Sequence, residues 1–224
     1  EIVCSLVGSE MCIRDSTLGH EIFGEVIELG SDVKDVNIGD KRVIYPWIGC
    51  NQCDVCSSGD EHLCSGGPVL GVQKGGGFGD HVLVPHSRYL MDAGDTPDHL
   101  AGSYACSGLT AYTALKKAQI KDSNNSLVIV GAGGLGMMGI QIAKAAFNVQ
   151  PIVVDVDDKK LEIALKSGAS HAINSKDEDA AERIFLLTGG AASVIDFVGS
   201  DLSTGFATNL LRKGGKYYSW LVWR

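Results

Sequence analysis

Residues 127–155, LVIVGAGGLGMMGIQIAKAAFNVQPIVVD, leave this chain few folds to choose from. The apolar run 127–131 reads as a strand buried on both faces, the habit of a parallel sheet. Gly131, Gly133 and Gly136 then follow in the order G-x-G-x-x-G, with Gly134 and Leu135 between them. A helix-period stretch runs from Leu135 to Ala146, and a second apolar strand, 152–154, ends on Asp155. Glycine turns also occur for packing alone, but here strand, turn, helix, strand and acid come in order. The glycines permit a tight turn, close approach of a pyrophosphate and close helix–strand packing. The helix N-terminus offers free N–H groups and partial positive charge. Asp155, nineteen residues past Gly136, is placed to accept hydrogen bonds from a ribose. A dinucleotide is therefore expected at Gly131, Gly133, Gly134, Leu135, Gly136 and Asp155. The Asp155 carboxylate repels a 2′-phosphate and no Arg follows it directly, so NAD is favoured over NADP.

Beyond Asp155 the pattern alternates. Helices are predicted near 158–167, 178–187 and 202–211, and strands near 171–174, 193–198 and 215–218. Such alternation gives a Rossmann-type, doubly wound parallel sheet with helices on both faces, an α/β fold. A further helix is predicted over 107–118, directly after Cys106.

Cys50, Cys53, Cys56 and Cys64 form a second strong pattern. Four thiolates on a short polar loop suit a closed tetrahedral structural zinc site. Disulfides and an iron–sulfur cluster are the alternatives, and three cysteines this close together suit a metal better. His62 lies inside the loop and is expected to be a bystander. Residues 66–80 are glycine-rich and read as a crossing loop; 81–85 reads as a short strand. His81, His86, His99 and His171 have no partner pattern and read as structural histidines.

The net charge of −8, with Lys and Arg scattered, excludes a nucleic-acid footprint. No apolar run reaches membrane-spanning length, so no membrane partner is expected. Thiolate-rich metal binding points to a reducing compartment, the cytoplasm.

Both ends depart from the pattern. Leu6 to Ser16 back-translates to the end of a transposon-based sequencing adapter, so residues 1–16 are expected to be adapter-derived. Cys4 and Cys12 would then have no evolved role. A one-base shift near Tyr217 or Tyr218 turns the Trp-rich end into an ordinary strand, so 217–224 reads as a frame-shifted tail. The expected organisation is 17–90 for a metal-bearing domain and 91–216 for a truncated nucleotide-binding domain.

Gly19-His20-Glu21 with Gly24 and Gly30, the turn and strand at 38–45, the four-cysteine loop, and the segment Cys106-Ser107-Gly108-Leu109-Thr110 together resemble the zinc-dependent medium-chain dehydrogenase/reductase (alcohol dehydrogenase) family. The resemblance covers about 17–217. It implies a partial GroES-like β-barrel domain carrying the zinc lobe, beside the Rossmann domain. It implies a catalytic zinc held by His20 and Cys106, with Glu21 behind the ligands or swinging in as an alternate. A small core cysteine is the other reading of Cys106; a position beside a helix N-terminus would lower its pKa and suit metal binding. By the same resemblance Thr110 touches the nicotinamide and Lys160 lies near the adenosine ribose, although a solvated helix lysine explains Lys160 almost as well.

The implied activity is hydride transfer between an alcohol or aldehyde and NAD, with zinc as Lewis acid, in a homodimer or homotetramer. A polyol or formaldehyde-type dehydrogenase of the same family is a second reading. A non-catalytic zinc- and nucleotide-binding module is a third. The family's first catalytic-zinc ligand, a Cys, would fall within 1–16, so the chain as written is expected to be inactive.

Overall fold

The computed structural model describes residues 17–120 and 126–219. Residues 1–16, read above as adapter-derived, lie outside the described residues. So do 220–224 of the tail read as frame-shifted, whereas 217–219 of it pair with the strand ending at Asp196 as part of the parallel sheet.

The chain divides into two units, the first ending at Cys106 and the second beginning at Ser107. The sequence had placed this division at 90/91. Strand pairing carries residues past 90 into the first unit. In that unit β1 (Ile22–Glu25), β2 (Lys41–Ile44) and β3 (Leu90–Asp92) form an antiparallel sheet in that order. The β1–β2 hairpin extends beyond its strands: Val26 N–H donates to Asp40 and Gly39 N–H to Val26, at 2.9 and 2.8 Å. Neighbouring residues of β2 face opposite ways. Ile44 packs with Ile22, Ile48, Leu70 and Tyr89. Val43 packs with Ala101 and Ala105, from helix α2 (Asp98–Ala101) and the 3-10 turn Gly102–Ala105.

One strand expectation fails. Residues 81–85 form no ladder. Val82 and Val84 do turn inward onto the Ile22 cluster, and Leu83 is 88% exposed. The alternation is therefore real, but no neighbouring chain among the described residues supplies hydrogen-bond partners, and alternation without pairing is not a strand.

The second unit holds α3 (Ser107–Ala118), β4 (Leu127–Val130), α4 (Gly134–Phe147), β5 (Ile152–Asp155), α5 (Asp158–Ser167), β6 (His171–Asn174), α6 (Ala180–Thr188), β7 (Ala191–Asp196), α7 (Asp201–Asn209) and β8 (Leu211–Ser219). The five strands pair in parallel in the order β6-β5-β4-β7-β8. This is the expected doubly wound α/β sheet. Val128, Ile129, Val153 and Val154 are wholly buried, because helices cover both faces. Ile129, Val153 and Ile195 belong to one cluster with α3, α4 and α5; Val128, Val154 and Val194 belong to the other with α6 and α7.

The last strand differs most from its sequence reading. It begins at Leu211, which pairs with Ala191. The next partners are Ser193 and Lys216, so 212–215 bulge from the ladder. That bulge carries the Gly214-Gly215 pair.

Candidate metal centres and dinucleotide site

The four-cysteine loop folds around its sulfurs. A short helix α1 (Asp54–Ser57) and the 3-10 turn Glu61–Leu63 bring Cys50, Cys53, Cys56 and Cys64 together, all four Sγ atoms within 4.8 Å of one another. Individual separations are 3.9 Å for Cys50–Cys56, 3.5 Å for Cys53–Cys56 and 3.8 Å for Cys53–Cys64. A tetrahedral zinc with Zn–S bonds of about 2.3 Å has sulfur–sulfur edges of about 3.8 Å. The residues present therefore fit one zinc ion. None of the five cysteines among the described residues is disulfide-bonded. His62 is not among the four sulfur donors that gather here.

The sulfurs are electrostatically unequal. Backbone N–H donation, first from Cys50 and then from Gly66, lowers the Cys64 thiol to about 6. Loss of hydration raises that of Cys56 to about 12. A cation reverses the second effect, because it binds the thiolate and not the thiol.

His20 and Cys106 also meet within the first unit. His20 Nε2 lies 3.1 Å from Cys106 Sγ, across 86 residues of sequence. Zinc bonded to both would hold nitrogen and sulfur about 3.6 Å apart. The pair sits slightly inside that distance, at a hydrogen bond. Among the described residues no third His, Cys, Asp or Glu completes a metal group with these two. The donor set fits part of a catalytic zinc site. The sequence expectation of a lowered Cys106 pKa is corrected: burial, and then the charge of Glu21, raise it to about 11. Desolvation outweighs the partial charge of a helix end. Glu21 itself is exposed, and its carboxylate acts on Cys106 through this field.

Two features around His20 were missed in the sequence. Trp47 meets the His20 ring edge-on at 6.0 Å, and its indole N–H donates to the Ala105 carbonyl at 3.3 Å, one residue before Cys106. The glycine-rich segment is also more than a crossing loop. Gly76, Gly77 and Phe78 N–H donate to Thr17, Gly19 and Leu18 carbonyls. A Cβ on Gly71 would lie 2.2 Å from the Gly19 carbonyl oxygen, and one on Gly76 would lie 2.3 Å from it. Clustered glycines signal close backbone approach; the signal was present, but its target was not.

The remaining histidines are plainer than expected. His86 Nδ1 accepts from Arg88 N–H and caps a short turn. His81, His99 and His171 are exposed, so they are surface groups and not satisfied structural ones.

In the second unit, Gly131, Gly133, Gly134, Leu135, Gly136, Asp155 and Lys160 line one cavity of about 280 Å³, together with Phe197 and Val198. The three glycines differ. Gly131 has φ +95°, and a Cβ on Gly136 would sit 1.8 Å from the Gly131 carbonyl oxygen. Around Gly133 and Gly134 there is open space where a Cβ would stand. That opening beside the first turn of α4 is a cradle into which a pyrophosphate fits. Asp155 accepts hydrogen bonds from the backbone N–H of Ala132, Val156 and Asp157 at 2.7, 2.8 and 3.0 Å. These bonds fix its carboxylate at the cavity. Thr110 is 8% exposed on α3 and does not line this cavity. Phe197 and Val198 were not singled out in the sequence, since nothing in their local pattern marks them.

The first unit thus carries a four-sulfur group that fits a zinc ion, and the second a glycine-turn cavity that fits a dinucleotide phosphate. The alcohol dehydrogenase GroES-like domain family matches residues 6–95, and the zinc-binding dehydrogenase family matches 134–219. An NAD-dependent alcohol dehydrogenase of Sulfolobus acidocaldarius is 40% identical over 201 residues, 89% of this chain and 58% of that protein. Among solved structures, a D-arabinose dehydrogenase from Sulfolobus solfataricus superposes with TM-score 0.83 at 31% identity, covering 90% of this chain and 64% of that one. An alcohol dehydrogenase from Aeropyrum pernix gives 0.81 at 28%, covering 91% and 61%. The chain belongs to the zinc-dependent medium-chain dehydrogenase/reductase family. It spans 58% of the length of the curated relative. No helix among the described residues is long and apolar enough to cross a membrane.

Proposed function

We propose that the whole protein is an NAD-dependent, zinc-dependent oxidoreductase that moves a hydride between an alcohol and the nicotinamide. The observation that carries this reading is the 3.1 Å approach of His20 and Cys106, two residues remote in sequence and chemically matched to zinc. In this reading His20 and Cys106 supply two ligands of a catalytic ion, and Cys50, Cys53, Cys56 and Cys64 hold a structural one. The catalytic zinc, when bound, supplies Lewis acidity toward the alcohol oxygen. Trp47 holds the His20 ring and the Ala105–Cys106 backbone in place. The turn from Gly131 to Gly136 receives the pyrophosphate, Asp155 orients a ribose and repels a 2′-phosphate, and Lys160 borders the same cavity. The role of Thr110 at the nicotinamide stays a proposal from the resemblance.

The second reading is a polyol or formaldehyde-type dehydrogenase, and the likeness to a D-arabinose dehydrogenase favours its polyol arm. The third, a binding module without catalysis, draws on the two-ligand count at His20 and Cys106. Thiolate metal binding favours a reducing compartment, the cytoplasm, in this reading. The resemblance adds a homodimer or homotetramer.

The deciding experiment extends the reading frame to the length of the relatives, loads zinc and assays NAD reduction with a panel of alcohols and polyols. Turnover with simple alcohols supports the first reading, and turnover confined to polyols supports the second. NADH binding without turnover on any substrate overturns both and leaves the binding module.

A further inference from the structure

Asp196, the last residue of β7, is 0% exposed. None of the ion pairs among the described residues involves it. A carboxylate buried without a cation needs hydrogen bonds on every side. Asp196 has four. Oδ1 accepts from the N–H of Val198 and Gly199 at 2.8 and 3.1 Å. Oδ2 accepts from Ser203 Oγ at 2.8 Å and Tyr217 OH at 3.1 Å.

The donors come from three places. Val198 and Gly199 form the turn after β7. Ser203 lies in the first turn of α7, where it shares a capping box with Ser200. Tyr217 lies on β8, and its hydroxyl is also 3.0 Å from Thr204 Oγ1. The turn thus fixed is the wall of the dinucleotide cavity facing the glycine turn. Val198 Cγ2 stands 2.7 Å from where a Cβ on Gly131 would be, and the Phe197 ring stands 3.2 Å from where one on Gly139 would be. An apolar residue at 196 would fill the space, but it would leave the two turn N–H groups without acceptors. A fully satisfied polar network fixes one geometry of the turn.

We propose that Asp196 is a positioning residue for the dinucleotide: it holds Phe197 and Val198 against the glycine turn, with Ser203 and Tyr217 as the other half of the clamp. This rests on the dinucleotide reading above. It adds that cofactor affinity depends on a carboxylate that does not itself line the cavity.

The test is fluorescence titration of the full chain with NADH, beside thermal unfolding without NADH. Asp196→Ala weakens NADH by about tenfold, the lower end of the loss seen when residues that orient metal ligands are removed. Asp196→Asn recovers most of the affinity, because its amide oxygen accepts the two turn N–H groups and the hydroxyls can rotate to accept from its nitrogen. Ser203→Ala and Tyr217→Phe each weaken binding less than Asp196→Ala and keep the test open should that variant fail to fold. Ile184→Val, a core change on α6, lowers the melting point and leaves NADH affinity unchanged. If Ser203→Ala and Tyr217→Phe melt lower yet bind NADH as the parent does, the clamp is structural only and the proposal fails. If the parent chain binds no NADH, the dinucleotide reading itself falls.

Discussion

The first unit holds two candidate metal-binding groups built on opposite plans. The tetrad draws all its ligands from 50–64, one short loop. The His20–Cys106 pair closes across 86 residues. In the tetrad, sulfur separations already match a single tetrahedral ion, and the loop has little apolar material of its own. In the pair, a glycine cradle fixes the backbone before His20, and Trp47 ties the His20 ring to the peptide before Cys106. A local site depends on its metal for shape. A non-local site takes its shape from the fold and can wait for its metal.

The largest effect expected from this contrast is at the tetrad. Structural zinc contributes apparent free energies of about 10–16 kcal/mol in small zinc peptides. Cys53→Ser should therefore abolish zinc binding by the lobe and expose 50–64 to protease, read by metal analysis and limited digestion. If Cys53→Ser kept its zinc and its protease resistance, the lobe would not be metal-organised.

A metal count on the purified chain comes next. One tightly held zinc per chain is expected, unchanged by His20→Ala, because the pair offers two ligands among the described residues. Two tight zincs, one lost in His20→Ala, would erase the difference between the sites.

Thiol reactivity sharpens the comparison further. In metal-free protein Cys64, lowered to about 6, is mostly thiolate at neutral pH; Cys106, raised to about 11, is thiol. Below its pKa the thiolate fraction rises tenfold per pH unit. Alkylation followed by mass spectrometry should label Cys64 at neutral pH and Cys106 only as pH climbs toward 11. The same shift acts on stability. The raised folded pKa of Cys106 favours the folded state below the ordinary thiol range, and that contribution is lost as pH rises through about 11. Fast labelling of Cys106 at neutral pH would mean that its burial is not real.

The smallest effect is a deliberate blank. His62→Ala should leave the zinc content of the tetrad unaltered, since His62 stands outside the four sulfurs. A loss of zinc would put an imidazole into the coordination shell.

Legibility in the sequence followed the range of the interactions. The helix 107–118 and the strand 171–174 match their sequence reading to the residue, because neighbouring residues set both locally. Segment 81–85 was misread, because alternation reports which side chains turn inward and not whether a ladder partner is present. The environment of Cys106 was misread in sign: a neighbouring helix is visible in sequence, but burial and the approach of Glu21 are not. Phe197 and Val198 escaped notice because the cavity they wall is completed by residues 131–136, a contact between separate strand ends.

The amino-acid sequence alone determined the alternation that winds the parallel sheet, the glycine spacing that opens a phosphate cradle, and the four sulfurs of the lobe. Each is written in residues near one another, where spacing and chemistry act directly. Tertiary structure alone decided that an imidazole and a thiol remote in sequence touch, and which glycines clamp the chain beside them. It also decided that a buried carboxylate at 196 braces the cofactor wall. Those outcomes depend on which surfaces pack together, and packing is a property of the folded whole.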